Sequence, residues 1–444
     1  MKWMTLLLSF VCVPLIISPD LCFSQVMKRV YTLQESITEA FANNWSFKAK
    51  KEKIDQAMQV KKQARAEFLP KFSMRYGYTR LDEVEKSDAI PLWGGLEIPE
   101  RELNAKDNYQ LKGTITQPVF TGFALTSAYE LANLGIDQSE MDVDLEKIDL
   151  ALRVKQAYFG ILVADKAVEV GKDAVESLAS QVKVARSFYN VGMIPINDVL
   201  KAEVELANAK QNLVKANNAS RLARSAFNVV LSRPFSAPLD VEDVFGFTPE
   251  RGEFQQYLDE ALKNRPEMKL IDINILQTDQ QIRLTKSKNY PEIALQFDYI
   301  KEGDEPDVSG SPFHDEDRWQ AMAVLSWTFW EWGKTHYSIK ENQSFRNELI
   351  KLKYALQDNI HLELRQAFLD LQTAEENIPA TRKAVEQGEE NLRVNQERYK
   401  AQVTTITEVL DAQTLLTQAK VNYYTALYNH HLAKAKLQRA LGEY

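Results

Sequence analysis

The 444-residue chain has only two cysteines, Cys12 and Cys22, and both fall within its first 24 residues. A chain cleaved after Ser24 keeps neither, which excludes disulfides and thiolate metal sites from the mature protein. Histidine is scarce at five residues. The one adjacent pair, His430-His431, lacks the three- or four-residue spacing that lets helical ligands converge, so the two rings are expected to point in different directions. After the N-terminus no run of about 18 apolar residues occurs, so any membrane crossing must be made by strands. The net charge of −8 argues against nucleic acid as the main partner. Neither a phosphate loop nor a nucleophile elbow is present, so the sequence gives no sign of an enzyme and no cofactor. The run His314-Asp315-Glu316-Asp317 reads as a solvated acidic loop tip.

What is present begins with a secretory signal. Lys2 supplies its charge and Trp3 to Ile17 its apolar run. Cys22 and Ser24 are the small residues at −3 and −1 of a cleavage site before Gln25, making residues 1–24 a signal peptide. Lipid attachment at Cys22 wants a small preceding residue, and the chain has Asp20-Leu21 there.

The mature sequence repeats itself. Ala40, Asn43, Pro70 and Tyr78 recur 221 positions on as Ala261, Asn264, Pro291 and Tyr299. Gln156, Ala164, Tyr189, Ile196, Leu200 and Lys210 recur 210 positions on as Gln366, Ala374, Tyr399, Ile406, Leu410 and Lys420. A unit this long is a duplicated half-molecule rather than a solenoid repeat. The first repeat is placed at residues 25–231, a proline-containing linker or small irregular layer at 232–252, and the second repeat at 253–444. The length difference falls in the segment Leu81–Asp107, whose counterpart is Lys301–Asp317, and both read as polar loops.

Each half has the same plan. Two amphipathic helices end at Leu69-Pro70 or Tyr290-Pro291. Period-2 alternation follows, marking strands at about 71–82 and 108–119, copied at 292–301 and 318–329. Phe72, Tyr76 and Tyr78 share an apolar face opposite Arg75; in the copy, Leu295, Phe297 and Tyr299 oppose Gln296 and Asp298. Long helices come next, 121–188 and its copy 331–398, the latter interrupted by Pro379, which is expected to kink it. At about 1.5 Å per residue each would reach roughly 100 Å. Tight turns lead into return helices 196–231 and 406–441, whose apolar spacing fits antiparallel coiled-coil packing. The fold class is therefore mainly α with a membrane β-barrel. Four strands per chain cannot close a barrel, since the smallest have about eight. Open edges in lipid would strand backbone polar groups at several kcal/mol each, so other chains must complete the sheet.

The duplicated helix–strand–strand–helix plan, Gln117-Pro118-Val119-Phe120-Thr121-Gly122 with Trp327-Thr328-Phe329-Trp330-Glu331-Trp332-Gly333, and the two turn segments ending in Ile196-Asn197-Asp198-Val199-Leu200 and Thr407-Glu408-Val409-Leu410-Asp411-Ala412 resemble the outer-membrane efflux protein family of the TolC type. The resemblance implies a homotrimer whose twelve strands, four per chain, form an outer-membrane barrel continued by an α-helical barrel through the periplasm. It implies a passive exit duct of a tripartite efflux or type I secretion system, working with a periplasmic adaptor (membrane fusion) protein and an inner-membrane transporter, in contact with outer-membrane lipid. The other reading is a periplasmic coiled-coil adaptor without a pore, which has no need of duplicated amphipathic strands.

The resemblance also implies a gate at the helical tip. Glu408 and Asp411 match the family's acidic-ring positions, Asp198 the first-repeat acceptor, and Tyr399 the gate tyrosine. The family's gate arginine position holds Thr404. Bottom-up, Glu408 and Asp411 stand at i, i+3 and share a helix face, while Asp198 near Pro195 also suits a helix start. Arg75 is expected to face the lumen, and Phe72, Tyr76, Tyr78, Leu295, Phe297 and Tyr299 to face lipid.

Overall fold

The structure, a computed structural model, describes residues 29–91, 93–249, 252–313 and 315–444. The expected signal peptide, both cysteines and His314 lie outside the described residues. The chain opens with β1 (Arg29–Tyr31), α1 (Leu33–Asn43) and α2 (Trp45–Ala66). Thr32 and Glu35 form a capping box at the start of α1: the Glu35 amide donates to Thr32 Oγ1 at 3.2 Å, and the Thr32 amide to Glu35 Oε2 at 3.1 Å. Next come β2 (Lys71–Arg80), β3 (Lys86–Ser87), β4 (Ile90–Pro91), β5 (Glu97–Ile98), β6 (Arg101–Glu102) and β7 (Asp107–Thr121). The helices α3 (Ala124–Asn190) and α4 (Ile196–Val230) finish the first repeat, and β8 (Leu239–Val241) follows. The second repeat runs α5 (Phe254–Asn264), α6 (Pro266–Ser287), β9 (Glu292–Gly303), β10 (Asp317–Ser326), α7 (Lys334–Lys400) and α8 (Ile406–Leu441).

Three expectations need correction. The segment 81–107 is not a plain loop: β3 pairs with β6 and β4 with β5, so the β2–β7 hairpin continues as short ladders. The linker 232–252 contributes β8, which pairs in parallel with β1 and joins the chain start to the junction between repeats. The long helices start a few residues late. Gly122 and Phe123 have φ of +59° and +71°, and Trp332 and Gly333 have +54° and +80°, so two left-handed residues stand directly before each long helix. A Cβ at Gly122 would lie 2.5 Å from the Ser287 carbonyl oxygen, which restricts that position to glycine. The copy α7 runs unbroken through Pro379.

The main sheet has the order β10-β9-β7-β2, antiparallel throughout, with β7–β9 joining the repeats. Register puts Phe72, Ile115, Phe297 and Ala321 side by side on one face. Arg75, Lys112, Ile300 and Arg318 line up on the other. On that second face Asp298 is fully buried. It accepts from Lys112 Nζ (3.0 Å), Thr114 Oγ1 (2.7 Å), Gln296 Nε2 (3.0 Å) and Gln320 Nε2 (2.9 Å). The donors come from three strands, so this carboxylate ties the sheet laterally.

Helix neighbours run in the order α4, α3, α8, α7 toward the tip and α2, α3, α6, α7 toward the sheet. Strand and helix layers therefore end at matching margins, with β2, α2 and α4 on one side and β10 and α7 on the other. Midway along the helices, α1, α3, α4 and the β1–β8 pair enclose Tyr31, Leu150, Tyr158, Ile161, Phe227 and Leu231. On the α7 side, Arg439 of α8 reaches Asp149 (3.1 Å), Glu363 (2.6 Å) and Glu267 (3.3 Å). The buried Arg265 reaches the same Glu363 and Glu267 at 2.7 and 2.8 Å. This network links four helices from both repeats.

Tyr158 shows how the central layer is pinned. Its hydroxyl donates to the Glu242 carbonyl at 2.8 Å and faces that of Tyr31 at 3.1 Å, clamping both β1 and the end of β8 to α3. Burial, with Glu242 second, pushes the phenol up to about 12. The native state thus holds its proton where the unfolded chain releases it near 10, so stability is lost as pH rises from about 10 to about 12. Tyr158→Phe should cost about 1 kcal/mol at neutral pH. In thermal melts from pH 9 to 12 the gap between wild type and variant should narrow; a gap that stays constant would contradict the clamp.

Candidate functional site

The candidate site is the turn end of the two long hairpins. In the first, the Gly192 and Met193 amides close onto the Tyr189 and Phe188 carbonyls at 2.9 Å each. In the second, the Gln402 and Val403 amides close onto Tyr399 and Arg398 at 3.0 and 2.9 Å. Both are Schellman closures that require a left-handed residue. Gly192 supplies it with φ +77°, but its counterpart is Gln402 at φ +60°, a conformation that costs a side chain about 1 kcal/mol.

The two tips differ in burial. Tyr399 is 2% exposed, whereas its counterpart Tyr189 is 42% exposed. Ile406, Val409, Leu410 and Ala412 of α8 pack with Leu178 and Val182 of α3, so α8 is held between α3 and α7. The Phe188 ring meets Tyr399 edge to face with centroids 5.6 Å apart. These contacts turn Val409, Leu410 and Ala412 inward and leave Glu408 and Asp411 on the exposed face of α8. Neither carboxylate forms a hydrogen bond or ion pair among the described residues, and neither does Asp198, which is half-buried in the first turn of α4.

Burial and then the Asp198 charge push the Tyr399 phenol up. No hydrogen bond joins them: the Tyr399 hydroxyl is buried without a partner. Thr404 is half-buried beside this cluster. Lys201 carries no motif or periodicity that marks it in the sequence. It is the repeat counterpart of Asp411 with the charge reversed, and its Nζ lies 3.4 Å from Thr407 Oγ1, bridging α4 and α8 next to Glu408.

Away from the tip, the tyrosines of the apolar sheet face sit toward its hairpin end. Tyr76 donates to the Pro306 carbonyl (2.6 Å), Tyr78 to Asp107 (2.7 Å) and Tyr299 to Asp317 (3.0 Å). Glu316 and Asp317 are thereby engaged, Glu316 by Lys301 at 2.7 Å, and do not form a free acidic tip. Phe72, Leu295 and Phe297 lie lower on the same face, and Phe329, Trp330 and Trp332 are exposed below the sheet. The rings of His430 and His431 lie 5.3 Å apart at 71° to each other, and both line one cavity. Among the described residues no group of acidic or histidine side chains has the arrangement of a metal site, and no helix is long and apolar enough to cross a membrane.

A sequence profile of the outer membrane efflux protein family matches residues 36–230 and 257–443, one match per repeat. The chain belongs to the outer membrane efflux protein family. It is 22% identical over 443 residues to the outer membrane protein TolC of Escherichia coli K12, covering 97% of this chain and 86% of that protein. It is 21% identical over 300 residues to the cobalt-zinc-cadmium resistance protein CzcC of Cupriavidus metallidurans, covering 66% and 68%. In fold it is similar to the Campylobacter jejuni CmeC outer membrane channel, with a TM-score of 0.77, 15% identity, and 92% and 85% coverage. The efflux-family chain is thus an outer-membrane channel extending into the periplasm, from a family of transport channels.

In planar bilayers, Glu408→Gln with Asp411→Asn should weaken cation preference and reduce block by multivalent cations if these carboxylates line the entrance; unchanged selectivity and block would show them to be helix-start carboxylates only. Tyr399→Phe removes a buried, unsatisfied hydroxyl. It should leave stability unchanged or raise it by up to about 1 kcal/mol. A clear loss in thermal melts would mean that the hydroxyl finds a partner in the assembly.

Proposed function

We propose that three copies of the chain close head to tail into one duct, a passive conduit gated at its helical tip and catalysing no reaction. Energy would come from an inner-membrane transporter, joined to the tip through a periplasmic adaptor protein. The observation that carries the reading is the pair of unfinished margins. Among the described residues β2 bonds only to β7, and β10 only to β9, so each leaves a full edge unpaired. On the same two sides, α4 leaves Leu200, Val204, Val214, Leu222 and Val229 exposed, and α7 leaves Phe345, Leu352, Leu362 and Leu369 exposed. Both stripes recur at helical spacing. A margin that is open in strand and helix alike, and different on its two sides, favours a heterologous contact that closes into a ring.

The same face pattern favours lipid around the sheet. From Trp319 to Trp327 the chain would run roughly 26 Å, about 20 Å of height at the tilt of barrel strands, which fits within a barrel's apolar band of about 25 Å. Tyrosines bonded to polar partners mark its upper rim and exposed tryptophans the lower, as aromatic belts do at membrane interfaces. On this reading Phe72, Leu295 and Phe297 meet acyl chains, Tyr76, Tyr78 and Tyr299 sit at the outer interface, and Arg75 faces the lumen.

Chemical crosslinking in detergent should trap three chains, and Leu222→Glu on the open stripe of α4 should shift the product toward monomer; a monomer that stays soluble without detergent would overturn the proposal. Phe297→Arg should destabilise the assembled barrel by about 2–4 kcal/mol, with a smaller cost for Tyr76→Arg near the interface. Arg75→Ala should be tolerated. Equal effects from all three changes would contradict the assigned faces.

A further inference from the structure

Beside the central layer, between α1, α3 and α8, lies a cavity of about 350 Å³ that the channel reading does not use. Its polar wall carries Lys155, Lys434, His430, His431 and Gln438, and among the described residues no acidic side chain lines it. Lys155 is the unusual group. It is 8% exposed, and its ammonium donates to Gln438 Oε1 at 2.7 Å without an ion pair among the described residues. Burial lowers its pKa, and Glu443 opposes this only through space. A buried cation that lacks a counter-charge is costly, and an anion in the cavity would remove that cost.

The rest of the wall is apolar. The Phe159 ring stacks on His431 with centroids 4.5 Å apart, and Leu33, Ile37 and Ala435 complete the surface. Burial, then the neighbouring His430, push the His431 pKa down to about 4, so near neutral pH its ring is uncharged. Its Nε2 is buried without a hydrogen-bond partner. On the far side His430 faces Glu375 of α7, Nε2 to Oε1 3.9 Å. The volume lies in the range of small-molecule sites, which combine apolar walls with a few fixed polar groups.

We propose that this cavity binds a small aromatic carboxylate, with the carboxylate on Lys155 and the ring against Phe159 and His431. Inorganic phosphate would meet the cation but waste the apolar wall; a neutral aromatic alcohol would fill the wall and leave Lys155 uncompensated.

The test uses the full detergent-solubilised protein and three probes: benzoate, benzyl alcohol and inorganic phosphate, each measured by titration calorimetry. Benzoate should bind at least tenfold more tightly than either of the others. Lys155→Met removes the cation. Gln438→Glu places an internal carboxylate beside it. Each should lower benzoate affinity at least tenfold, by opposite changes of charge, and if one variant fails to assemble the other decides. Absence of benzoate binding to the wild type, equal binding of phosphate or benzyl alcohol, or unchanged benzoate affinity in an assembled variant would each overturn the proposal.

Discussion

The backbone hydrogen bond at the edge of a sheet is the constraint on which this architecture depends. Water can satisfy an edge strand in a soluble protein; hydrocarbon cannot. A chain with four membrane strands leaves two open edges, and on the proposed trimeric reading β2 and β10 are the complementary halves of a seam between copies. The helices repeat the same logic with side chains instead of amides. Their exposed apolar stripes on α4 and α7 lie on the same margins as the free strand edges, so one act of association would satisfy both layers.

Within the chain, polar chemistry is confined to places where it sets geometry. Asp298 gathers donors from three strands, and Arg439 with Arg265 gathers carboxylates from three helices. Pairs of this kind contribute little net stability but are expensive to break, because a buried charge is then left alone. They act as registers between the two repeats, while the hydrophobic seams α3–α4 and α7–α8 supply the bulk attraction. At the tip the polar links between helices are exposed ones, Lys201 to Thr407 and Arg186 to Glu203. The carboxylates Asp198, Glu408 and Asp411 are unpaired among the described residues, the Tyr399 hydroxyl is unsatisfied, and Gln402 occupies a backbone conformation better suited to glycine.

Much of this was legible in the sequence because the two periodicities, 2 and 3.6, are strong here and each appears twice. The strand faces of Phe72, Phe297 and Arg75 and the exposed i, i+3 pair Glu408–Asp411 could be read that way. What escaped depended on three-dimensional convergence. Asp298 looked like one polar residue in an alternating strand, and its burial appears only when Lys112, Thr114 and Gln320 arrive from other strands. His430 and His431 diverge on their helix, yet a cavity between α8, α1 and α3 is wide enough to receive both. The β3–β6 and β4–β5 ladders are only two residues long per strand, too short for alternation to be visible.

The long helices α3 and α7 contain 67 residues each. One extra residue in either would turn everything beyond it by about 100° and advance it about 1.5 Å relative to its sister, carrying the inward residues of one hairpin out of their seam and moving its tip out of level. Only a gain of roughly seven or eleven residues restores the facing side, and it would have to occur in both repeats, and again in α4 and α8. For this gene, then, the length of the helical region is close to a frozen quantity. The 81–107 hairpin, which needs to match nothing in its sister repeat, is where insertions and deletions can accumulate one residue at a time.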